Sequence, residues 1–194
     1  RHMPTWADAG YTVIGLDASS MMLDLARQNT AAAAARTYLV AGLMQQLPFR
    51  DGVFDAIVNL FNSFGYLADD TENARVVAEA ARCLRPGGRF LLDTRNPTVE
   101  ILAAPYGEYE TLDDGRVLIC SSRYDRAARR LNTTWRDASS GRVVYHASIR
   151  LHSIGELHQI FHAAGLRVVA AFGNFTGTPF EGDHSQLVLL GLKP

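Results

Sequence analysis

The chain has 194 residues, of which 47% are hydrophobic and 20% charged. This apolar fraction excludes a wholly disordered chain, and the length is typical of one domain. Nineteen Lys and Arg against 20 Asp and Glu give a net charge of −1, which argues against a nucleic-acid binder or a basic membrane-surface protein. We therefore expect neither nucleic acid nor a membrane as a partner.

The cysteines and histidines indicate neither a disulfide framework nor a metal site. Cys83 and Cys120 form no CxxC pair, which is typical of core thiols in a reduced, cytoplasmic protein. His158 and His162 are four residues apart, but the glutamine at position 159 does not fit the HExxH pattern. No apolar run approaches the roughly 20 residues that cross a bilayer. The sequence therefore predicts no metal and a cytoplasmic location.

The first part of the chain alternates between helix-like and strand-like segments, which favours an α/β fold with a parallel sheet. A short helix over residues 3–9 is followed by a strand over 11–16 that ends at Asp17. Ser19 and Ser20 are candidate N-caps for a helix from 21 to about 35, whose last turns take in the alanines at 31–35. A short strand over 37–40 and a loop over 42–52 come next.

The same alternation continues in the middle of the chain. A buried strand over 54–59 precedes a helix over 71–84, for which Asp70 is the predicted cap. The Arg-Pro-Gly-Gly run at 85–88 predicts a stop, and a strand over 89–94 follows it.

From residue 106 to 151 the pattern changes to short strands separated by turns. Strands are predicted over 117–124, 131–137 and 143–151, with turns at 113–115 and 139–141. This segment is small for a core of its own, so we predict an antiparallel insertion that packs on the main sheet.

The last part of the chain returns to a helix and two strands. Ser153 and Glu156 form a capping box for a helix that ends at Gly165. Two final strands over 166–172 and 186–192 complete the chain.

Asp17 is the most informative candidate for binding chemistry. An acid at the carboxyl end of a parallel strand is well placed to accept hydrogen bonds from both hydroxyls of a ribose. Ser19 and Met22 begin the next helix beside that point, where a thioether can cover an adenine face. The alternative is that Asp17 caps the helix and Met22 belongs to the core.

Four segments in order resemble motifs of the class I S-adenosylmethionine-dependent methyltransferases. They are residues 13–23, 47–49, 54–66 and 84–93, and they agree with the family in order and spacing. The resemblance implies a Rossmann-like, doubly wound, mostly parallel sheet with a small antiparallel insertion after the fifth strand. It also implies S-adenosylmethionine as cofactor and methyl transfer to a nitrogen or oxygen of a small-molecule substrate.

Finer features resemble the small-molecule type within that family. Residues 61–66, the antiparallel insertion and residues 172–179 are similar to those of amino-sugar and small-amine N-methyltransferases. The resemblance implies a single methyltransferase-like domain over 1–194, with residues 106–151 inserted within it.

The resemblance aligns Arg1 and His2 with the residues that directly follow the family's glycine-rich loop. That loop and the first strand before it would lie upstream of Arg1, so we expect an N-terminal truncation. Without that strand, two parallel strands would flank an open slot. A partner chain can fill the slot, which leaves a homo-oligomer open.

The resemblance assigns individual residues to the cofactor and the substrate. Cofactor-binding positions are Arg1, His2, Asp17, Ala18, Ser19, Met22, Leu43, Met44, Asn59, Leu60, Phe61 and Phe64. Leu43 stands where the family commonly has an acid that accepts from the adenine amine. Asn62, Tyr66 and Tyr106 are substrate-side candidates, each with packing or loop solvation as the alternative. No catalytic acid or base is assigned, because a neutral amine needs placement more than proton transfer.

Two other functions stay open at this point. A non-catalytic, methyltransferase-like interaction module would explain both the absent strand and Leu43. A nicotinamide-dependent dehydrogenase also binds a ribose through an acid at the end of a parallel strand. The segments after residue 54 do not support that function.

Overall fold

The structure is a computed structural model that describes residues 2–30, 35–103 and 106–194. It divides into two compact units, residues 1–50 and 51–194. Among the described residues, none of the helices combines the length and the apolar character that crossing a membrane requires.

The first unit consists of two parallel strands and two helices. In chain order these are α1 (Met3–Asp8), β1 (Val13–Asp17), α2 (Ser20–Asn29) and β2 (Thr37–Ala41). The strands pair in register from Val13 opposite Thr37 to Asp17 opposite Ala41. The predicted cap of α2 is found at Ser19, whose side chain accepts a hydrogen bond from Met22 N. Helix α2 ends at Asn29, and the alanines predicted to extend it lie, at 31–34, outside the described residues.

The second unit contains the remaining elements. They are β3 (Phe54–Asn59), α3 (Asp70–Cys83), β4 (Leu84–Arg95), α4 (Pro97–Ala103), β5 (Tyr106–Thr111), β6 (Val117–Asp125), β7 (Arg130–Asp137), β8 (Val143–Arg150), α5 (Ile154–Ala163), β9 (Arg167–Phe172) and β10 (Gln186–Leu192). They form two four-stranded sheets, one in the order β3-β4-β10-β9 and one in the order β5-β6-β7-β8.

The mixed sheet begins with a parallel β3–β4 pair that α3 connects. Strand β10 is antiparallel to both of its neighbours, β4 and β9. The predicted stop at 85–88 is an irregularity within β4: Leu84 already pairs with Phe54, and pairing resumes at Arg89 opposite Ala56. The glycines at 87 and 88 therefore interrupt the strand without ending it.

The helices pack on this sheet through their apolar faces. Helix α3 packs on β4, and α5 packs on α3 and β9. The stacked rings of Phe90 and Phe161 lie 5.5 Å apart at the centre of this core, and both are almost fully buried. The cap of α3 is Asp69, whose carboxylate accepts from Glu72 N. The sequence-based choice of Asp70 was therefore wrong by one residue, because Asp70 is already helical.

The second sheet is entirely antiparallel. Its strands β6, β7 and β8 match the predicted ones, whereas β5 and the preceding helix α4 were not predicted. The start of α4 carries a recognisable signal, because the Asn96 side chain accepts a hydrogen bond from Thr98 N at 3.1 Å and Pro97 occupies the first helical position.

Candidate functional site

Asp17 lies at the carboxyl end of β1, and its local contacts suit a ligand-binding carboxylate. Oδ1 accepts a hydrogen bond from Ser19 N at 2.8 Å, which holds the turn between β1 and α2. The side chain is only partly buried, and within the described residues Oδ2 receives no hydrogen bond. A carboxylate that is oriented by one backbone donor and retains a free oxygen fits the hydroxyls of a ribose.

The other predicted cofactor residues of the first unit lie on its surface. Met22 is 46% and Leu43 48% exposed, so neither belongs to the core. Ala18 is exposed and Met44 is partly buried. The His2 ring stacks on Trp6 with centroids 5.6 Å apart, and Arg1 lies outside the described residues.

In the second unit, the turn after β3 carries the remaining predicted residues. Phe61 and Asn62 adopt left-handed backbone conformations with φ of 55° and 58°, which are unfavourable for residues other than glycine. Phe61 N donates to Oδ2 of Asp93 at 2.7 Å, and Gln186 Nε2 donates to Oδ1 at 2.8 Å. The buried Asp93 of β4 thus holds the start of this turn.

A cavity of about 590 Å³ opens beside the carboxyl ends of β3 and β4. Its polar lining includes Asn62, Asp93, Arg95, Glu100, Tyr106, Glu108, Ser185 and Gln186, and its apolar lining includes Phe61 and Val99. Three carboxyl side chains, those of Asp93, Glu100 and Glu108, therefore face a single guanidinium, that of Arg95. Burial raises the pKa of Asp93, although hydrogen bonds from Phe61 and Gln186 oppose that shift.

Three of the lining side chains bond to one another. Arg95 Nη1 donates to Glu100 Oε1 at 2.9 Å and to the Tyr106 oxygen at 3.2 Å. The Tyr106 hydroxyl donates to Glu100 Oε2 at 2.9 Å. Burial raises the pKa of Tyr106, so its phenol is neutral and can donate. This network joins β4, α4 and β5 along one wall of the cavity.

The structure therefore brings together three of the predicted residues, Phe61, Asn62 and Tyr106, around one cavity. Tyr66 does not line it; burial and a hydrogen bond between Tyr66 and Tyr145 raise the pKa of Tyr66 to about 12. Phe64 is fully buried and packs on the ring of His152 at 5.0 Å.

Two further predicted residues flank this turn. Asn59 ends β3, and Leu60 O accepts from the hydroxyl of Ser63 at 2.9 Å.

Sequence reasoning missed most of the acidic lining. Asp93 stood within one of the quoted motifs, and its position at the end of a buried strand is the signal that could have found it. Glu100 and Glu108 lie on α4 and β5, the two elements that were not predicted. Their approach to Asp93 depends on tertiary packing.

The comparisons with known proteins agree with this architecture. A methyltransferase-domain family model matches residues 1–88. The cypemycin N-terminal methyltransferase of a Streptomyces species is 24% identical over 187 residues, which are 95% of this chain and 75% of that enzyme.

Solved structures show the same fold. The CcbJ methyltransferase of Streptomyces caelestis superposes with a TM-score of 0.83 at 24% identity, over 96% of this chain and 76% of that one. CalS10 of Micromonospora echinaspora, an amino pentose methyltransferase solved with S-adenosylmethionine bound, gives a TM-score of 0.72 at 25% identity, over 100% of this chain and 78% of that one.

The first 88 residues match a methyltransferase domain, and the chain has the fold of S-adenosylmethionine-dependent methyltransferases. The predicted α/β, Rossmann-like fold class is confirmed, and so are the enzyme class and S-adenosylmethionine as the cofactor.

Proposed function

We propose that this chain transfers the methyl group of S-adenosylmethionine to the nitrogen of a small-molecule amine that binds in the 590 Å³ cavity of the second unit. The charge of the cavity carries this proposal. Glu100 is paired with Arg95, which leaves the carboxyl groups of Asp93 and Glu108 without a compensating cation in the lining. An acidic cavity attracts an ammonium group and offers no such advantage to a neutral alcohol.

Asp93 is the best candidate for handling the proton of the amine. An amine must lose its proton before its lone pair can attack a methyl carbon, and a carboxylate within the cavity can hold that proton. Burial raises the pKa of Asp93, which makes its carboxylate a stronger base than an exposed one. The donors at Phe61 and Gln186 each occupy one lone pair, so both oxygens can accept a further hydrogen bond.

Asp17 is the proposed anchor for the ribose of the cofactor. When bound, S-adenosylmethionine supplies an electrophilic methyl group, so a nitrogen–carbon bond forms as the carbon–sulfur bond breaks. The chain contributes placement and exclusion of water. Asp17 fits that task because its turn is held by Ser19 N and one of its oxygens is free among the described residues. Met22 and Leu43, both exposed, are proposed to cover the adenine.

Two names among the similar proteins support an amine as acceptor. The cypemycin enzyme is an N-terminal methyltransferase, and CalS10 is an amino pentose methyltransferase. Both names describe substrates that carry an amino group.

The experiment measures S-adenosylhomocysteine formation with matched acceptors. Amino sugars, short peptides with free amino termini and cyclic amines are each compared with the corresponding alcohol. We expect turnover with amines, and we expect Glu108→Gln to raise the KM for the amine about tenfold through loss of an attractive charge.

Glu110→Gln is the matched control, because Glu110 lies on the same strand, is exposed and is absent from the cavity lining. Equal turnover of alcohols would overturn the preference for nitrogen. A chain that binds no S-adenosylmethionine in calorimetry would favour the non-catalytic interaction module.

A further inference from the structure

We infer that Arg130 is a positioning residue for methyl transfer, because it holds the turn of residues 60–68 that presents Phe61 and Asn62 to the cavity. The inference rests on the proposed use of this cavity as the acceptor site. Arg130 lies at the start of β7 in the antiparallel sheet, and nothing in the sequence motifs draws attention to it.

The guanidinium of Arg130 contacts the carbonyl oxygens of four consecutive residues. Nη1 donates to Leu67 O at 3.1 Å and Ala68 O at 3.5 Å. Nη2 donates to Gly65 O at 3.3 Å and Tyr66 O at 3.5 Å. One side chain thus binds the backbone of the second half of the turn, residues 65–68.

The side chain of Arg130 is itself held in place by its own sheet. Nε donates to Ser148 Oγ at 2.9 Å and Nη2 to Ser148 O at 2.7 Å, so the neighbouring strand β8 orients the guanidinium. Within the described part of the chain, no carboxylate lies within ion-pair distance of Arg130, and its charge is met by oxygens of the backbone and a hydroxyl. A lysine, with its donors on one nitrogen, cannot reproduce this planar set of bonds.

A second arginine reinforces the attachment. Arg150 of β8 lies opposite Arg130 in the sheet, and its backbone N donates to Gly65 O at 2.8 Å. Its side chain bonds to Asp70 at the start of α3 at 3.0 Å. The antiparallel sheet therefore holds both the turn and the beginning of the helix that follows it.

This attachment matters because the turn is strained where it meets the cavity. The left-handed conformations of Phe61 and Asn62 persist only when surrounding contacts enforce them. Asp93 holds the start of the turn by accepting a hydrogen bond from Phe61 N, and Arg130 holds its end by donating to backbone carbonyl oxygens. The same antiparallel sheet supplies Tyr106 and Glu108 to the cavity, so Arg130 connects the sheet that carries one wall to the turn that carries the other.

The test compares Arg130→Ala and Arg130→Lys with Arg123→Ala, which removes an exposed guanidinium from β6 of the same sheet. Hydrogen–deuterium exchange needs neither cofactor nor substrate. We expect the amides of residues 61–68 to exchange about tenfold faster in Arg130→Ala, with no change in the rest of β6 and β7. Arg130→Lys restores part of the protection, and Arg123→Ala leaves it unchanged.

Kinetics supply the second readout. With an amine that the wild-type chain methylates, we expect Arg130→Ala to lower kcat up to about 100-fold while the KM for S-adenosylmethionine changes less than about threefold, because misplacement affects the reacting geometry. Free guanidinium ion, but not sodium at the same ionic strength, restores part of kcat in Arg130→Ala.

Two results would refute the positioning role. One is an unchanged rate of hydrogen–deuterium exchange at the amides of residues 61–68 in Arg130→Ala. The other is a uniform loss of protection over the whole second unit in both Arg130→Ala and Arg130→Lys. Lack of turnover by the wild-type chain would count against the proposed function alone, because the exchange result stands without it.

Discussion

Two turns at the carboxyl ends of parallel strands carry the candidate residues, and they are held in different ways. The first turn, residues 17–19 after β1, is held by Asp17 and Ser19 through bonds that span two and three residues. The second turn, residues 60–68 after β3, is held by Asp93, Arg130 and Arg150, which lie between 32 and 85 residues away from the groups they bind. The first turn is therefore a local structure, whereas the second exists only when the whole unit has folded.

The two turns also differ in strain. The first needs no unusual backbone angle at a residue other than glycine, whereas the second places Phe61 and Asn62 at positive φ. Long-range contacts can offset such strain, and strained residues cluster at functional sites. Changes in the second turn should consequently cost more free energy than equivalent changes near the first.

The largest expected effect is that of Gly65→Ala. A methyl group at this position would lie 2.3 Å from the carbonyl oxygen of Arg150, at a φ of +98°. We expect the free energy of unfolding to fall by about 3–4 kcal/mol, because backbone strain and a clash with a fixed backbone atom add together. Urea unfolding of the wild-type chain and the variant measures this change in the free energy of unfolding.

Gly10→Ala is the matched control for that substitution. Gly10 has a similar φ of +95°, but an added methyl group would meet no atom within 4 Å. It should cost only the strain of about 1–2 kcal/mol. Equal losses in the two variants would show that the contact between the second turn and β8 contributes nothing.

A slightly smaller effect is expected from His152, whose ring packs on Phe64 in the second turn. Burial and then the charge of Arg150 lower the pKa of His152 from 6.5 to about 4, although Asp70 and Glu156 oppose this. The unfolded chain takes up a proton near pH 6.5 and the folded chain only near pH 4, so stability present above pH 6.5 is lost as the pH falls to 4. We expect a loss of up to about 3 kcal/mol.

Thermal unfolding between pH 7 and 4 separates this histidine from other groups. The wild-type chain should lose more stability over that range than His152→Gln. His158→Gln serves as control because His158 is exposed on α5. If His152→Gln shows the wild-type pH dependence, the buried histidine does not support the turn in the neutral form.

Asp17→Ala is expected to leave the fold intact and to weaken cofactor binding. Loss of a charged hydrogen-bond acceptor costs about 1–3 kcal/mol, or roughly 5- to 150-fold in Kd. Isothermal titration with S-adenosylmethionine measures it. Asp24→Ala removes an exposed carboxylate that pairs with Arg27 on α2 and should bind the cofactor normally. An unchanged affinity of Asp17→Ala would contradict the ribose assignment.

The smallest effect is expected at the cap of α2. The Ser19 hydroxyl accepts from Met22 N at 3.3 Å, and Ser19→Ala should lower the free energy of unfolding by about 1 kcal/mol. Ser20→Ala changes the next residue, which is exposed and already helical, and should change stability by no more than about 0.5 kcal/mol. If Ser19→Ala lowers the free energy of unfolding no more than Ser20→Ala does, the first turn does not depend on its local hydrogen bonds.

Most elements of the fold were predictable because their signals are local. The caps at Ser19 and Ser153 are found where the sequence placed them, since side-chain oxygens and the backbone donors they satisfy lie within one turn of helix. Strand β3 matches its predicted bounds. Helix α4 and strand β5 escaped prediction because they have only seven and six residues, which is too short for a clear apolar periodicity.

The candidate site was predictable in part. Phe61, Asn62 and Tyr106 were chosen from the sequence and line one cavity, whereas Tyr66 lies away from it. The acidic character of the cavity was not predicted, because Asp93, Glu100 and Glu108 come from three different elements. Local pattern cannot show that such residues converge.

The sequence by itself determined the class of enzyme, the cofactor, the class of fold and the first turn, because motifs, periodicity and capping act over a few residues. Only the tertiary structure decided which side chains surround the cavity and how the second turn is held. Asp93, Arg130 and Arg150 bind that turn across tens of residues, and such contacts form only after the strands have paired. The charge of the cavity, and with it the preference proposed for an amine, follows from that packing.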